Sequence, residues 1–187
     1  MYVHRGLGIG FLAHPHAASR SISEALMKQF DFKKAHGHHY GPLRKHDEEG
    51  MTFFCVVRNH FDAFASWYCV NHPPLYEGGI DARWIVTWLK GHSTPKRPYW
   101  RGNNLWYFLK EVPGVEVIRF ERLSEELNAF LLSHDIGPID LPHVSDNRRR
   151  PESTYQYLFS PSGRAMVEEY FKDEMAELSY EWEDVSR

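Results

Sequence analysis

The chain alternates short apolar runs with stretches in which apolar residues recur every three or four positions, the pattern of strands and helices taken in turn. Residues 6–13, GLGIGFLA, make the first apolar run and are expected to be the first strand. A turn of small and hydroxylated residues follows, after which Ile22, Leu26 and Phe30 lie four apart on one helix face. Ser21 with Glu24 three positions on fits a capping box at the start of that helix. Residues 31–35 suggest a short strand, and residues 42–49 a brief polar helix ending at Gly50. The run MTFFCVV, residues 51–57, carries β-branched and aromatic side chains without alternation, as expected of a central strand buried on both faces. Phe61, Phe64, Ala65 and Tyr68 then stand at i, i+3, i+4 and i+7 of a helix that packs back onto the sheet.

Residues 71–79 read as a loop, with Pro73, Pro74, Gly78 and Gly79. Asp81 is placed to cap the next helix, whose stripe is Ala82, Ile85 and Leu89. Residues 91–102 read as an irregular loop rich in basic and aromatic side chains, followed by a helix over about 104–110 and a break at Pro113 and Gly114. A strand over 115–120 leads to a helix over 124–132 with Leu123, Leu127, Phe130 and Leu131 inward. Residues 136–151 are loop-like. A long final helix is expected over about 161–178, opened by Pro161 after Ser160, with Met166, Tyr170 and Phe171 inward. Strand-then-helix order, repeated, predicts a three-layer α/β fold with a mostly parallel central sheet flanked by helices. At 187 residues with no repeat or linker, the expectation is a single domain spanning residues 1–187.

Charge and cysteine usage narrow the classes. A net charge of −3 argues against bulk electrostatic binding to nucleic acid or to an anionic membrane, so any basic chemistry must be local. Cys55 falls in an apolar run and Cys69 in a predicted helix, which suits buried free thiols and a reducing cytoplasm better than a disulfide framework. Residues 6–13 are too brief and too glycine-rich for a signal-peptide core, and no apolar run approaches the roughly 18 residues of a membrane span.

Three stretches carry chemistry. The turn between the first strand and first helix presents small residues and backbone N–H groups ahead of a helix N-terminus, an arrangement suited to an anion. An ordinary strand-to-helix turn is the plainer alternative, since the glycines and lysine of a full P-loop are absent. Arg58 leaves the carboxyl end of the predicted central strand, the edge where ligands of open α/β sheets sit, and Ser66 lies two turns into the helix beyond. A guanidinium and a hydroxyl so placed can grip one phosphate; the alternative is that Arg58 simply pairs with Asp62. Finally, His36, His38 and His39 cluster before the central strand. They offer a general base of near-neutral pKa, or His36 and His38 as metal ligands without a third at a supporting spacing, or a solvated group.

Together these residues resemble the sulfotransferase family, which moves a sulfuryl group from 3′-phosphoadenosine 5′-phosphosulfate (PAPS) to a hydroxyl or amine, and they are most similar to its carbohydrate-type branch. The family's loop H-x-P-K-[ST]-x-[GS]-[ST]-[ST] is matched by HPHAASRSI, which implies that His16, Ala17, Ala18, Ser19, Arg20 and Ser21 hold the 5′-phosphosulfate. Its V-R-N-P-x-D-x-x-x-S-x-Y is matched by VRNHFDAFASWY, which implies a 3′-phosphate on Arg58 and Ser66. R-F-E-x-L recurs as Arg119, Phe120, Glu121 and Leu123, and the ending YFKDEMAELSYEW is similar to the family's last helix. The resemblance also implies a P-loop-like fold, a base at His38 or His39, and one of Arg148, Arg149 and Arg150 over the nucleotide, with Arg149 the representative choice. The acceptor would be a small molecule or carbohydrate, with no metal, nucleic acid or membrane. His16 stands where the family has its loop lysine, Arg20 where it has a hydroxyl residue, and His60 where it has a proline. A cationic His16 or Arg20 would have to replace the lysine in neutralising the leaving phosphate oxygen. A nucleotide kinase is the rival enzyme, and a nucleotide-binding protein that has lost catalysis is the rival outside enzymes.

Overall fold

The apolar run 51–57 forms an interior strand of a mixed sheet in the structure, a computed structural model that describes residues 1–14, 16–35, 50–71, 79–92, 114–142 and 155–182. The chain divides into two compact units, Met1–Val57 with Leu105–Asp146 and Arg58–Asn104 with Asn147–Arg187.

The first unit holds the sheet. Its strands are β1 (Tyr2–His4), β2 (Ile9–Leu12), β3 (Lys33–Lys34), β4 (Thr52–Val57) and β5 (Glu116–Arg119), in the spatial order β3-β1-β2-β4-β5. β2, β4 and β5 run parallel, with Phe11 opposite Phe54 and Val56 opposite Ile118. β1 is antiparallel to both β2 and β3. An α/β fold is therefore observed, with a mixed sheet. The expected first strand over 6–13 is shorter and comes second: Gly8 adopts a left-handed φ of 64° and closes the 3-10 turn Arg5–Leu7, so residues 2–4 fold back as the unforeseen β1.

Strand alternation places Ile9, Phe11, Phe54, Val56 and Ile118 on one face. Against them pack Ile22, Ala25 and Leu26 of α1 (Ser19–Phe30). The same core takes Leu127, Phe130 and Leu131 from the helix Leu123–Ser133. Rings of Phe11 and Phe54 stack at 4.9 Å, and Phe54 meets Phe130 at 4.7 Å. Phe53, Cys55 and Val57 on the other face are buried as well, as a doubly covered strand requires. The segment after Leu123–Ser133 is tied to the helices by side-chain amides. Asn128 accepts from Ile139 N–H at 2.7 Å, and Gln29 exchanges two bonds with the Asp140 backbone.

The second unit is helical where described. It contains α2 (His60–Asn71), α3 (Ala82–His92), the 3-10 turn Tyr155–Leu158, and the helices Pro161–Tyr170 and Lys172–Glu177. With the Leu123–Ser133 helix as α4, the last two are α5 and α6. Asp81 caps α3 as expected, its Oδ1 accepting from Arg83 N–H at 2.8 Å. Ser160 caps α5, accepting from Gly163 N–H at 3.2 Å. α5 lies close against the backbone leading into α3: a Cβ on Gly163 would stand 2.0 Å from Ile80 O, so only glycine fits.

The single long helix expected over 161–178 is broken at Phe171, where φ is −103° and ψ 15°. Val167, Phe171, Met175 and Leu178 are all buried, so the apolar stripe runs through the break and its period conceals it. Tyr170, expected inward, is 44% exposed, because the stripe is centred on Val167 and Phe171, about 100° around the helix from it. Both cysteines are free and buried. Among the described residues no helix is long and apolar enough to cross a membrane. The expected helices over 42–49 and 104–110 and the loop after His92 lie outside the described residues.

Candidate functional site

The turn between β2 and α1 is built from left-handed backbone. His16 has φ 62° and Ala18 φ 54°, conformations that L side chains other than Asn and Asp seldom adopt. Two such residues in one short turn store strain of the kind found where a backbone is shaped for a ligand. Ala17, between them, and Ser19, which follows, are buried. The first helical bond runs from Ile22 N–H to Ala18 O at 3.0 Å, so the N–H groups of Ser19, Arg20 and Ser21 precede it at the helix mouth. Ala18 is the N-cap and offers no side-chain oxygen.

The expected capping box is thereby corrected. The left-handed turn starts the helix earlier, Ser21 falls inside its first turn, and Glu24 pairs instead with Lys28, Oε1 to Nζ 2.6 Å. Ser23 donates back to Arg20 O at 3.1 Å and contributes nothing to the mouth. Arg20 is exposed and takes part in no ion pair among the described residues, which leaves its guanidinium available.

In the second unit, Arg58 follows Val57, the last residue of β4, and its Nε donates to Asp62 Oδ2 at 2.5 Å. The pairing put forward as the alternative for Arg58 is thus present. Asp62 and Ser66 are one turn apart on α2, so the carboxylate that orients Arg58 and the hydroxyl expected to share its anion lie on the same stripe. Asn59 caps α2: its Oδ1 accepts from Phe61 N–H at 3.0 Å, while its Nδ2 donates to Glu181 O at 3.0 Å. An asparagine directly before an apolar helical pattern is a cap signal in the sequence itself. His60, at the family's proline position, places Nε2 3.1 Å from Glu174 Oε1, and both side chains are buried. Nothing local announces that pair, because its members are brought together only by the packing of α2 on α6.

Cys55, in the centre of β4, is no nucleophile: burial pushes its thiol up to about 12. His36, His38, His39, Arg148, Arg149 and Arg150 lie outside the described residues. Arg119 ends β5, its N–H donating to Glu126 Oε2 at 2.7 Å, and Glu121 is exposed in the 3-10 turn Phe120–Arg122.

The structure thus gathers His16 to Ser21 around one helix mouth in the first unit, and Arg58, Asp62 and Ser66 along one face of α2 in the second. β2 and β4 are parallel neighbours, so they end at the same edge of the sheet. No family model, no characterised protein and no solved structure matches this chain.

Proposed function

We propose that this chain is a PAPS-dependent sulfotransferase acting on a hydroxyl or amine of a small-molecule or carbohydrate acceptor, in a three-layer, P-loop-like fold. The observation that carries the reading is the β2–α1 turn. Its left-handed residues and a helix mouth without a side-chain cap aim three N–H groups at an anion, and Arg20 is exposed. Each of the two clusters suits an anion by itself. Each residue cluster holds a cation or a fan of N–H donors, and its carboxylate is already engaged, Glu24 by Lys28 and Asp62 by Arg58.

The residue roles follow from that chemistry. Backbone N–H groups of Ser19, Arg20 and Ser21 hold the 5′-phosphosulfate, and Arg58 with Ser66 holds the 3′-phosphate. When bound, the nucleotide supplies a sulfuryl group on an anhydride bond and leaves as adenosine 3′,5′-bisphosphate. Arg20 or a protonated His16 neutralises the charge that develops on the departing phosphate oxygen. His38 or His39 accepts the proton of the acceptor hydroxyl. Two buried free thiols suit work in the cytoplasm.

A nucleotide-binding protein without turnover is the second reading, favoured by His16 in place of the loop lysine. Thermal shift with adenosine 3′,5′-bisphosphate, ATP and 5′-AMP tests the site itself. The bisphosphate should stabilise the wild type most, by about 2.7 kcal/mol at a hundredfold excess over Kd, and Arg58→Ala should lose that preference. Equal response to the three nucleotides in the wild type would remove the cofactor assignment. Arg20→Ala should weaken bisphosphate binding, and an unchanged affinity would take Arg20 out of the site. Radiolabelled sulfuryl transfer from PAPS then separates the enzyme from the binding protein.

A further inference from the structure

The start of α2 is held by more than its own helix. Arg58, Asn59 and His60 are consecutive, and each of the last two is tied to the C-terminal segment, residues 171–182. Asn59 Nδ2 donates to Glu181 O at 3.0 Å while its Oδ1 caps the helix at Phe61 N–H. His60 Nε2 meets Glu174 Oε1 at 3.1 Å, with 7% and 9% of the two side chains exposed. The imidazole also lies against the Phe171 ring at 4.7 Å and edge-on to Tyr180 at 6.3 Å. The segment is anchored in turn by Trp182, whose ring lies beneath the Arg164 guanidinium at 4.7 Å and edge-on to Phe61 at 4.7 Å.

A carboxylate 93% buried is an expensive way to fill a core, since an apolar side chain of similar volume would pack there without desolvation. What a charged, directional partner gives that an apolar one does not is a fixed ring orientation. The Glu174 carboxylate accepts from Nε2–H, which fixes the edge of the ring that faces it, and Nδ1 has no hydrogen-bond partner among the described residues. Sliding or rotating the first turn of α2 would break this bond and the Asn59 tether together. That same turn carries Asp62, which orients Arg58.

We propose that Asn59, His60 and Glu174 are positioning residues for the Arg58 anion grip. Through them the C-terminal segment sets affinity for the 3′-phosphate without touching it. The inference rests on the reading of Arg58 as a 3′-phosphate ligand and adds to it a defined supporting shell, the element that decides whether such a ligand is held to within a fraction of an ångström.

The test is calorimetric titration of wild type, Glu174→Ala and Glu174→Gln with adenosine 3′,5′-bisphosphate and with 5′-AMP. Glu174→Ala should weaken bisphosphate binding by about tenfold and leave 5′-AMP within about twofold. Glu174→Gln, which keeps an oxygen for Nε2–H, should restore most of the difference. In the wild type, nitrogen-15 histidine spectra should show the His60 Nε2 signal moving on addition of the bisphosphate and staying put with 5′-AMP, a readout that needs no variant to fold. An unchanged ratio of the two affinities in folded Glu174→Ala, or a His60 signal indifferent to the bisphosphate, overturns the positioning role while the site reading stands. A wild type that does not distinguish the two nucleotides overturns both.

Discussion

Replacing Arg58 with alanine removes the guanidinium whose Nε stands 2.5 Å from Asp62 Oδ2, and the cost can be bracketed from how dry the pair is. Only 10% of the arginine side chain and 16% of the aspartate are exposed, so water restores little of the lost attraction. Breaking a fully buried pair costs roughly 3–5 kcal/mol, and a surface pair is worth roughly 0–1 kcal/mol. The intermediate burial here places the loss at about 2 kcal/mol, or a fall in Tm of about 4–8 °C for a chain of this size. Asp62→Ala should cost a similar amount by leaving the guanidinium without that carboxylate. The double variant should be more stable than the sum of the two losses by at least about 1 kcal/mol. Urea unfolding of the four proteins, followed by circular dichroism and analysed with a shared m value, gives the coupling directly. Losses that add to within about 0.5 kcal/mol would refute the pair as a stabilising contact. Repeating the cycle with a fixed concentration of adenosine 3′,5′-bisphosphate tests the functional side, since the ligand should stabilise the proteins that retain Arg58 more than those that lack it.

Two further outcomes probe the scaffold. Gly163→Ala forces a Cβ to within 2.0 Å of Ile80 O, and because the obstacle is backbone α5 must move away from the segment before α3; a loss of about 2 kcal/mol or more in thermal melts is expected, and a wild-type Tm would contradict the packing. For Cys55, burial raises the thiol from its ordinary 9.0 to about 12, so its contribution to stability is complete below pH 9 and declines as pH rises toward 12. By pH 10 the decline should reach about 1.4 kcal/mol in wild type relative to Cys55→Ala, and a pH dependence identical in the two proteins would contradict it. Thiol reagents at pH 8 should likewise label Cys55 only after denaturation.

Periodicity carried the architecture where one element's own side chains decide its burial. The uninterrupted run at 52–57 had to be a doubly covered strand, and the stripe Ile22, Leu26, Phe30 had to face a core, because side-chain direction follows backbone period. Asp81 was legible as a cap because its bond is made within two residues. The same locality explains the misses. β1 pairs three residues against a strand that gains its register only through Gly8, and the stripe through Phe171 reads identically whether or not the helix breaks there.

For the candidate site, residue types announced which groups suit an anion: Arg20, Arg58, Ser66 and the small residues of the first turn. Only the tertiary structure decided their conformations and attachments. His16 and Ala18 are left-handed although neither residue type favours it, a choice imposed by the strand and helix that the turn must join. Glu24 was a cap on paper and is a partner of Lys28 in the fold, because moving a helix start by a few residues reassigns every side chain in its first turn. The buried His60–Glu174 pair joins residues far apart in the chain. Such contacts carry no local signature, since burial of a charge is a property of everything packed around it rather than of the residue itself.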